Sequence, residues 1–194
     1  MAFTTWPRKG FTLASRTNTN EEYTKNYPAQ ASTNQPIALG DAVAIVNGIV
    51  VPCTAGQDPD QAGFGVVMAV YTTANRPFTQ QTVKIIASGQ PGRVDVNYDP
   101  NAEYIVRCET SVGPSNIDKN VVLSGLSANA TLGWTNAAVT IPASASVNDL
   151  FRIVRLAGQN DIVGTNGFNP LGGAGNPVIV RWNRHVLNPR TAGQ

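Results

Sequence analysis

Histidine and cysteine are nearly absent from this chain of 194 residues, which has one histidine and two cysteines. A structural zinc site needs about four closely spaced Cys, His or acidic ligands, and His185 has no second soft ligand in a matching pattern. A disulfide framework is typical of much shorter chains with several cysteine pairs. The sequence therefore predicts neither a zinc centre nor a small disulfide-rich fold.

Long hydrophobic runs and charged residues are also scarce. The longest apolar runs, near residues 42–51 and 65–71, have the length of strands, whereas a membrane-spanning helix needs about 20 apolar residues. The N-terminal MAFTTWPRKGF has no apolar block of the kind that a secretory signal carries. Charged residues make up 13%, with dispersed arginines and a formal net charge of +2. We expect a soluble protein that acts where it is made, with neither a membrane nor a nucleic acid as partner.

Catalytic signatures are missing as well. The chain has no G-x-S-x-G, H-E-x-x-H, C-x-x-C or G-x-x-x-x-G-K-[ST] pattern. The glycine cluster at residues 172–175 has no following lysine, and the pair Asp58 and Asp60 has no third carboxylate at calcium-ligand spacing. We therefore expect no enzyme activity, no cofactor and no bound metal.

The two cysteines lie in strand-like segments. Cys53 shares the alternation of Val51, and Cys108 shares that of Val106. Residues on the apolar face of a strand are usually buried, and a buried thiol is unreactive. The pattern predicts two buried, reduced thiols.

Short apolar runs separated by turn formers predict an all-β protein. DAVAIV and IVVPCT flank Asn47-Gly48, a dipeptide that favours a type I′ hairpin turn because both residues tolerate positive φ. Further strands are predicted at GVVMAVYT, TVKIIA, RVDVNY and EYIVRCE. Their even spacing is typical of a small closed barrel or sandwich, which we place at residues 37–111.

Residues 1–36 have neither a strand nor a helix period and are rich in Thr, Asn, Gln and Ala. A segment with so few large apolar side chains does not offset its own ordering entropy. We expect an extended N-terminal arm whose aromatic and basic side chains contact a partner, the alternative being a disordered tail. The candidate contact residues are Phe3, Trp6, Arg8, Lys9, Phe11, Arg16, Tyr23 and Tyr27.

Residues 112–194 are predicted to form a second β lobe packed on the first, with strand patterns at NVVLSG, AAVTIP, LFRIVRL and PVIVRWNRHVL. Between Lys119 and Arg152 the only charged side chain is Asp149. This lack of charge is typical of a sheet buried against the barrel or of a subunit interface. Near the C-terminus, a secondary partner contact is predicted at Arg181, Arg184 and Arg190.

The order LGDAVAIVNGIVVPCTAG, GFGVVMAVYTT, TVKIIASGQPGRVDVN, with NPVIVRWNRHVLNP near the end, resembles the capsid decoration (cement) proteins of tailed bacteriophages, as in marine and cyanobacterial podovirus-like phages. The resemblance implies a β-tulip-like barrel with an extended N-terminal arm. It also implies a homotrimer on the capsid exterior of the virion, made in the host cytoplasm, that clamps neighbouring major capsid protein subunits. The residues after the barrel extend beyond that pattern.

A second interpretation is a glycan- or host-surface-binding module of a virion fibre. Trp134 and Trp182 would then stack on sugar rings among Asn-rich loops. The two interpretations differ in a simple observation. A glycan binder binds its ligand as a free protein, whereas a decoration protein binds only assembled or expanded capsid.

Overall fold

The computed structural model describes residues 10–15, 24–31, 35–53, 63–71, 85–125, 135–144, 146, 149–157 and 176–183. Within these residues the chain forms thirteen strands and a short 3-10 turn at Pro114–Asn116. In chain order the strands are β1 (Thr12–Ser15), β2 (Thr24–Gln30), β3 (Ile37–Ala38), β4 (Ala42–Val46), β5 (Ile49–Pro52), β6 (Gly63–Tyr71), β7 (Ile85–Ile86), β8 (Pro91–Asn97), β9 (Glu103–Arg107), β10 (Asn120–Ser124), β11 (Ala138–Thr140), β12 (Phe151–Leu156) and β13 (Pro177–Trp182). The prediction of an all-β fold is confirmed.

Five strands close into a small barrel in the order β2, β5, β4, β6, β8. Strands β4 and β5 form the predicted hairpin, in which Val46 pairs with Ile49. Asn47 and Gly48 have φ values of 51° and 78°, the two positive angles that a type I′ turn requires. The barrel closes where β2 lies parallel to β5. The small pair β3 and β7 lies beside it as a two-stranded sheet.

The barrel interior is filled by small aliphatic side chains. Its buried cluster consists of Ala29, Ala31, Ile37, Val43, Val50, Val67, Val70, Ile86, Val94 and Val96. Strands β6 and β8 approach closely at Gly65, where an added Cβ would lie 2.2 Å from Cγ1 of Val96 and 2.6 Å from the carbonyl oxygen of Asn97. Glycine is required at this position because the backbone of the neighbouring strand occupies the space of a side chain.

The second unit is a six-stranded sheet in the order β1, β9, β13, β12, β10, β11. The sheet curls until β11 returns to the end of β9, where Cys108 forms a parallel bridge with Val139. The amide nitrogen of Glu109 donates a hydrogen bond to the carbonyl oxygen of Val139 over 2.8 Å. The predicted second β lobe is therefore present as a curled sheet.

The curled sheet and one face of the barrel enclose a single aromatic core. Phe151 stacks on Trp182 with ring centroids 4.4 Å apart, and Phe11 stacks on Phe151 at 4.8 Å. Tyr104 meets the rings of Phe11 and Trp182 edge-on. The barrel strand β6 adds Phe64, whose ring centroid lies 5.7 Å from that of Trp182. Because the barrel supplies part of this core, the two units pack as one body in the described residues.

The predicted N-terminal arm is wrong for the part of residues 1–36 that the structure describes. Strand β2 pairs along its whole length with β8 and is one of the five barrel strands. Phe11 is 4% exposed and belongs to the aromatic core. The period was missed because β2 alternates Tyr27 and Ala29, which face the barrel interior, with outward-facing residues such as Pro28. One face of small apolar residues leaves a strand that looks polar as a whole.

The predicted end of the barrel domain, at residue 111, is also wrong. Strand β9 pairs with β1 and β13 in the six-stranded sheet. Tyr104 and Val106 face the aromatic core, and Ile105 is buried on the opposite face of the sheet. The alternation of apolar and polar residues in EYIVRCE indicates a strand but does not show which strands it pairs with, because those strands are distant in sequence.

The charge-poor stretch after Lys119 is explained by burial in its described parts. Val121 and Leu123 of β10 and Ala138 and Val139 of β11 are each 3% exposed or less and lie in the chain's own interior. For these residues the buried sheet, rather than a subunit interface, accounts for the missing charge.

Candidate interaction surfaces

A shallow groove lies on the outer side of the barrel, on the side away from the curled sheet. It crosses β5, β2 and β8, has a volume of about 310 Å³, and is lined by Pro28, Ala29, Gln30, Ile49, Pro91, Gly92 and Arg93. Pro28 lies opposite Arg93, and Gln30 lies opposite Pro91, across the β2–β8 pair. We call this feature the barrel groove.

The wall of the barrel groove on β5 is an exposed apolar tip. Val46 and Ile49, which flank the hairpin turn, are 36% and 43% exposed. Val50, the next residue, points into the barrel and is fully buried. The strand is thus apolar on both faces although only one face is covered. Together with the groove beside it, this exposed tip is a candidate contact surface.

A chain of hydrogen bonds holds the polar end of the barrel groove. The Nε of Arg93 donates to Oδ1 of Asn26. The Nδ2 of Asn26 donates to Oδ1 of Asp95 over 2.7 Å, and the hydroxyl of Tyr71 donates to Oδ2 of Asp95 over 2.8 Å. This bond to Asp95, with burial, raises the pKa of the Tyr71 hydroxyl. Both carboxylate oxygens of Asp95 accept hydrogen bonds, and within the described part of the chain the guanidinium of Arg93 is held through its Nε.

The outer face of the curled sheet has paired arginines. Ion pairs join Arg107 to Glu109 at 2.8 Å, Arg152 to Asp118 at 3.2 Å and Arg155 to Glu103 at 3.6 Å. These partially exposed pairs contribute little to stability. Together they neutralise most of the charge of this face.

Arg181 of β13 also lies on the outer face of the sheet. It is exposed and is directly opposite Arg152. The predicted contact of Arg181 with a partner stays a prediction.

A buried carboxyl group lies where the barrel meets the curled sheet. Asp41 is 7% exposed, and its Oδ2 accepts a hydrogen bond from the amide of Ala38 over 2.7 Å. Thr135, from the segment before β11, also hydrogen-bonds the carboxyl group. Burial raises the pKa of Asp41 to about 7, against the opposing effect of these two hydrogen bonds. The group therefore changes charge near neutral pH inside the junction.

The two thiols are free and buried, as predicted. Burial raises the pKa of Cys53, and the nearby carboxylate of Asp41 raises it further. Burial also raises the pKa of Cys108, opposed by its hydrogen bond with Thr110, whose Oγ1 lies 3.3 Å from Sγ. Thiols with raised pKa values are poor nucleophiles at neutral pH.

Two of the predicted arm contacts fall in described residues, and neither projects freely. Phe11 is a core residue, which corrects its assignment as a contact residue. Tyr27 is half-buried and packs against the barrel interior. The pKa of its hydroxyl is raised, chiefly by burial. The remaining candidates lie outside the described residues: Phe3, Trp6, Arg8, Lys9, Arg16, Tyr23, Arg184 and Arg190.

The glycan-binding interpretation loses one of its two stacking residues. Trp182 is 1% exposed and stacks within the aromatic core, so its ring is closed to a sugar. Trp134 lies outside the described residues.

Sequence reasoning missed the barrel groove. A usable signal was present in the hairpin, because Ile49 and Val50 are adjacent, both apolar, and must face opposite sides of a strand. One of them therefore faces away from the barrel interior. The hydrogen bonds from Arg93 to Asn26 and from Asn26 to Asp95 had no such signal, since they depend on the register of β2 against β8.

The described part of the chain contains no group of three His, Cys, Asp or Glu side chains placed to hold a metal ion. It also contains no helix with the length and hydropathy of a membrane span. No protein-family model and no curated protein sequence matches the chain.

Proposed function

We propose that this chain is a structural virion protein that decorates and stabilises a bacteriophage capsid by clamping neighbouring major capsid protein subunits. The proposal rests on one observation above the others, the exposed apolar tip formed by Val46 and Ile49 beside the barrel groove. An uncovered apolar tip next to a groove is the kind of surface that another protein covers. The resemblance of the hairpin and the strands that follow it to decoration proteins names the class of partner.

The size of this surface indicates how binding would be achieved. Burying a side chain such as Ile49 contributes about 1.5–3 kcal/mol at most, and association itself costs several kcal/mol. One barrel groove therefore supports only weak binding. A shell offers many equivalent sites, and a trimer, which the resemblance implies, would engage several at once. Homotrimer formation is thus part of the proposal, and sedimentation of the purified chain at micromolar concentration measures it.

The proposal is tested with empty, expanded shells assembled from the major capsid protein encoded in the same genome. The full chain is mixed with shells, with unassembled capsid protein and with a glycan array. We expect saturable co-sedimentation with shells, and none with the unassembled subunit or the glycans. Binding to glycans with no binding to shells would instead favour the fibre-module interpretation.

The variant Ile49→Ser tests the carrying observation. Its matched control is Ile117→Ser, which alters a side chain of similar exposure, 39%, in the second unit. We expect Ile49→Ser to weaken decoration at least tenfold and Ile117→Ser to leave it unchanged. Equal binding by both variants would remove the barrel tip as the basis of the proposal.

A further inference from the structure

The barrel groove has a more specific chemistry than an apolar surface alone. Its walls include Pro28 and Pro91, which have no backbone N–H, and the small residues Ala29 and Gly92. The side-chain amide of Gln30 is directed to the carbonyl oxygens of Ala31 and Gly89. The lining is therefore apolar and rigid over most of its length.

Among the described residues that line the barrel groove, Arg93 is the one ionisable group. Its Nε is committed to Asn26, and the ion pairs among the described residues involve other arginines. Among the described residues no hydrogen bond or ion pair involves the two terminal nitrogens of the guanidinium, and the Nε bond limits their orientation toward a ligand. The nearest acid on the strand, Asp95, accepts hydrogen bonds from Asn26 and Tyr71.

Charge complementarity then selects the occupant. An arginine held in one orientation prefers a carboxylate, which accepts two parallel hydrogen bonds from its terminal nitrogens. The rest of the lining prefers an apolar side chain, placed against Ile49 and the two prolines. A cation or a strongly polar ligand matches neither part.

We propose that the barrel groove binds an extended peptide segment of the capsid subunit, with one apolar side chain against Ile49 and one carboxylate on Arg93. This inference rests on the proposed function for the identity of the partner. The rigid walls reduce the entropy lost on binding, because few groove side chains need to be immobilised. Asn26 acts as a positioning residue, since it holds Arg93 and contributes no group of its own to the ligand.

The first experiment does not depend on the capsid. A random heptapeptide display library is selected on the immobilised full-length chain, and enriched peptides are synthesised and titrated by fluorescence anisotropy. We expect enriched peptides to have Asp or Glu within two residues of an apolar side chain. Their Kd should rise at least tenfold with Arg93→Gln and with Ile49→Ser. Arg107→Gln and Ile117→Ser, on the second unit, should leave the Kd unchanged.

Two further measurements separate a carboxylate contact from a general loss of structure. Raising the salt concentration should weaken peptide binding to the wild type and have little effect on Arg93→Gln, because the charge pair is then missing. Asn26→Ala should weaken binding less than Arg93→Gln while leaving the salt dependence in place. Arg93→Lys keeps the positive charge and should retain part of the affinity. It thus shows whether the loss in Arg93→Gln comes from the missing charge or from a disturbed strand. Enrichment of basic peptides, or equal binding by wild type and Arg93→Gln, would overturn the inference.

The second experiment uses shells and a photo-crosslinking amino acid at position 49 of the full chain, with position 117 as control. We expect position 49 to crosslink to a capsid peptide that contains an acidic residue. If shells bind but position 49 gives no crosslink, the inference fails and the proposed function stands. If shells do not bind but acidic peptides select the barrel groove, the proposed function fails and the peptide chemistry stands.

Discussion

The barrel and the curled sheet solve the same packing problem with different side chains. Among the described residues, the buried cluster of the barrel interior consists of alanine, valine and isoleucine, with Tyr27 partly buried against it. The sheet instead encloses a cluster of rings from Phe11, Tyr104, Phe151 and Trp182. Two strands of the barrel, β6 and β8, approach so closely that Gly65 is needed between them. The curled sheet leaves room for rings.

This difference determines which surface each unit presents. The sheet turns one face of rings inward and covers it with strands β4 and β6 of the barrel. The opposite side of the barrel, formed by β2, β8 and the tip of β5, is left with the barrel groove and the exposed Ile49. We therefore place the proposed partner contact on the barrel, at the barrel groove.

The largest expected effect is on the aromatic core. Phe11→Ala should lower the free energy of unfolding by about 3–5 kcal/mol, because it removes a buried ring and leaves a cavity between Phe151 and Tyr104. Chemical denaturation followed by tryptophan fluorescence measures this change. Leu39→Ala is the matched control, since Leu39 is 39% exposed. An unchanged denaturation midpoint for Phe11→Ala would contradict its place in the core and favour the extended arm instead.

A smaller effect is expected inside the barrel. Gly65→Ala should cost about 1–3 kcal/mol, because its Cβ would overlap Val96 and the backbone of Asn97. Gly113→Ala is the control, as a Cβ at Gly113 meets nothing within 4 Å. Thermal unfolding of both variants gives the comparison. A loss equal in the two variants would show that the close approach of β6 and β8 is not what limits the barrel.

The third prediction concerns the junction between the two units. The pKa of Asp41 is raised from 3.8 in its unperturbed form to about 7 in the folded chain, so the native state binds a proton more tightly than the unfolded state. Its contribution to stability is complete below about pH 4 and is lost as the pH rises through about 7. We expect the melting temperature to fall between pH 5 and pH 8 and Asp41→Asn to remove part of that fall.

Asp118→Asn serves as the control for Asp41→Asn, because the side chain of Asp118 is 60% exposed. Its variant should keep the pH dependence of the wild type. Equal slopes of stability against pH in the wild type and Asp41→Asn would contradict a raised pKa at the junction.

The part of the fold that could be predicted from the sequence is the part set by neighbours in the chain. The Asn47-Gly48 turn and its two strands follow from backbone conformations that those two residues favour, and the burial of Cys53 and Cys108 follows from strand alternation. The partners of β2 and β9 could not be predicted. Their pairing depends on contacts between residues far apart in sequence, which alternation does not encode.

The candidate site was also hard to predict where it depends on contacts between residues far apart in the sequence. The sequence indicated a protein whose surface contacts matter more than any cluster of reactive groups, yet it placed the contacts on residues 1–36. The burial of Phe11 could not be predicted because its ring contacts come from distant strands: it stacks on Phe151 of β12 and meets Tyr104 of β9 edge-on. The groove beside Ile49 exists only after β2, β5 and β8 have been brought together by barrel closure.

The most direct test of the central claim is an electron cryo-microscopy reconstruction of a decorated shell at a resolution that separates the barrel from the curled sheet. We expect ordered density for the chain on the outer surface of the shell, with Ile49 and Arg93 of the barrel groove facing a segment of the capsid subunit. We also expect the ion-paired face with Arg107, Arg152 and Arg155 to be turned away from the shell. Density in which that arginine face meets the shell while the barrel groove points to solvent would contradict the account.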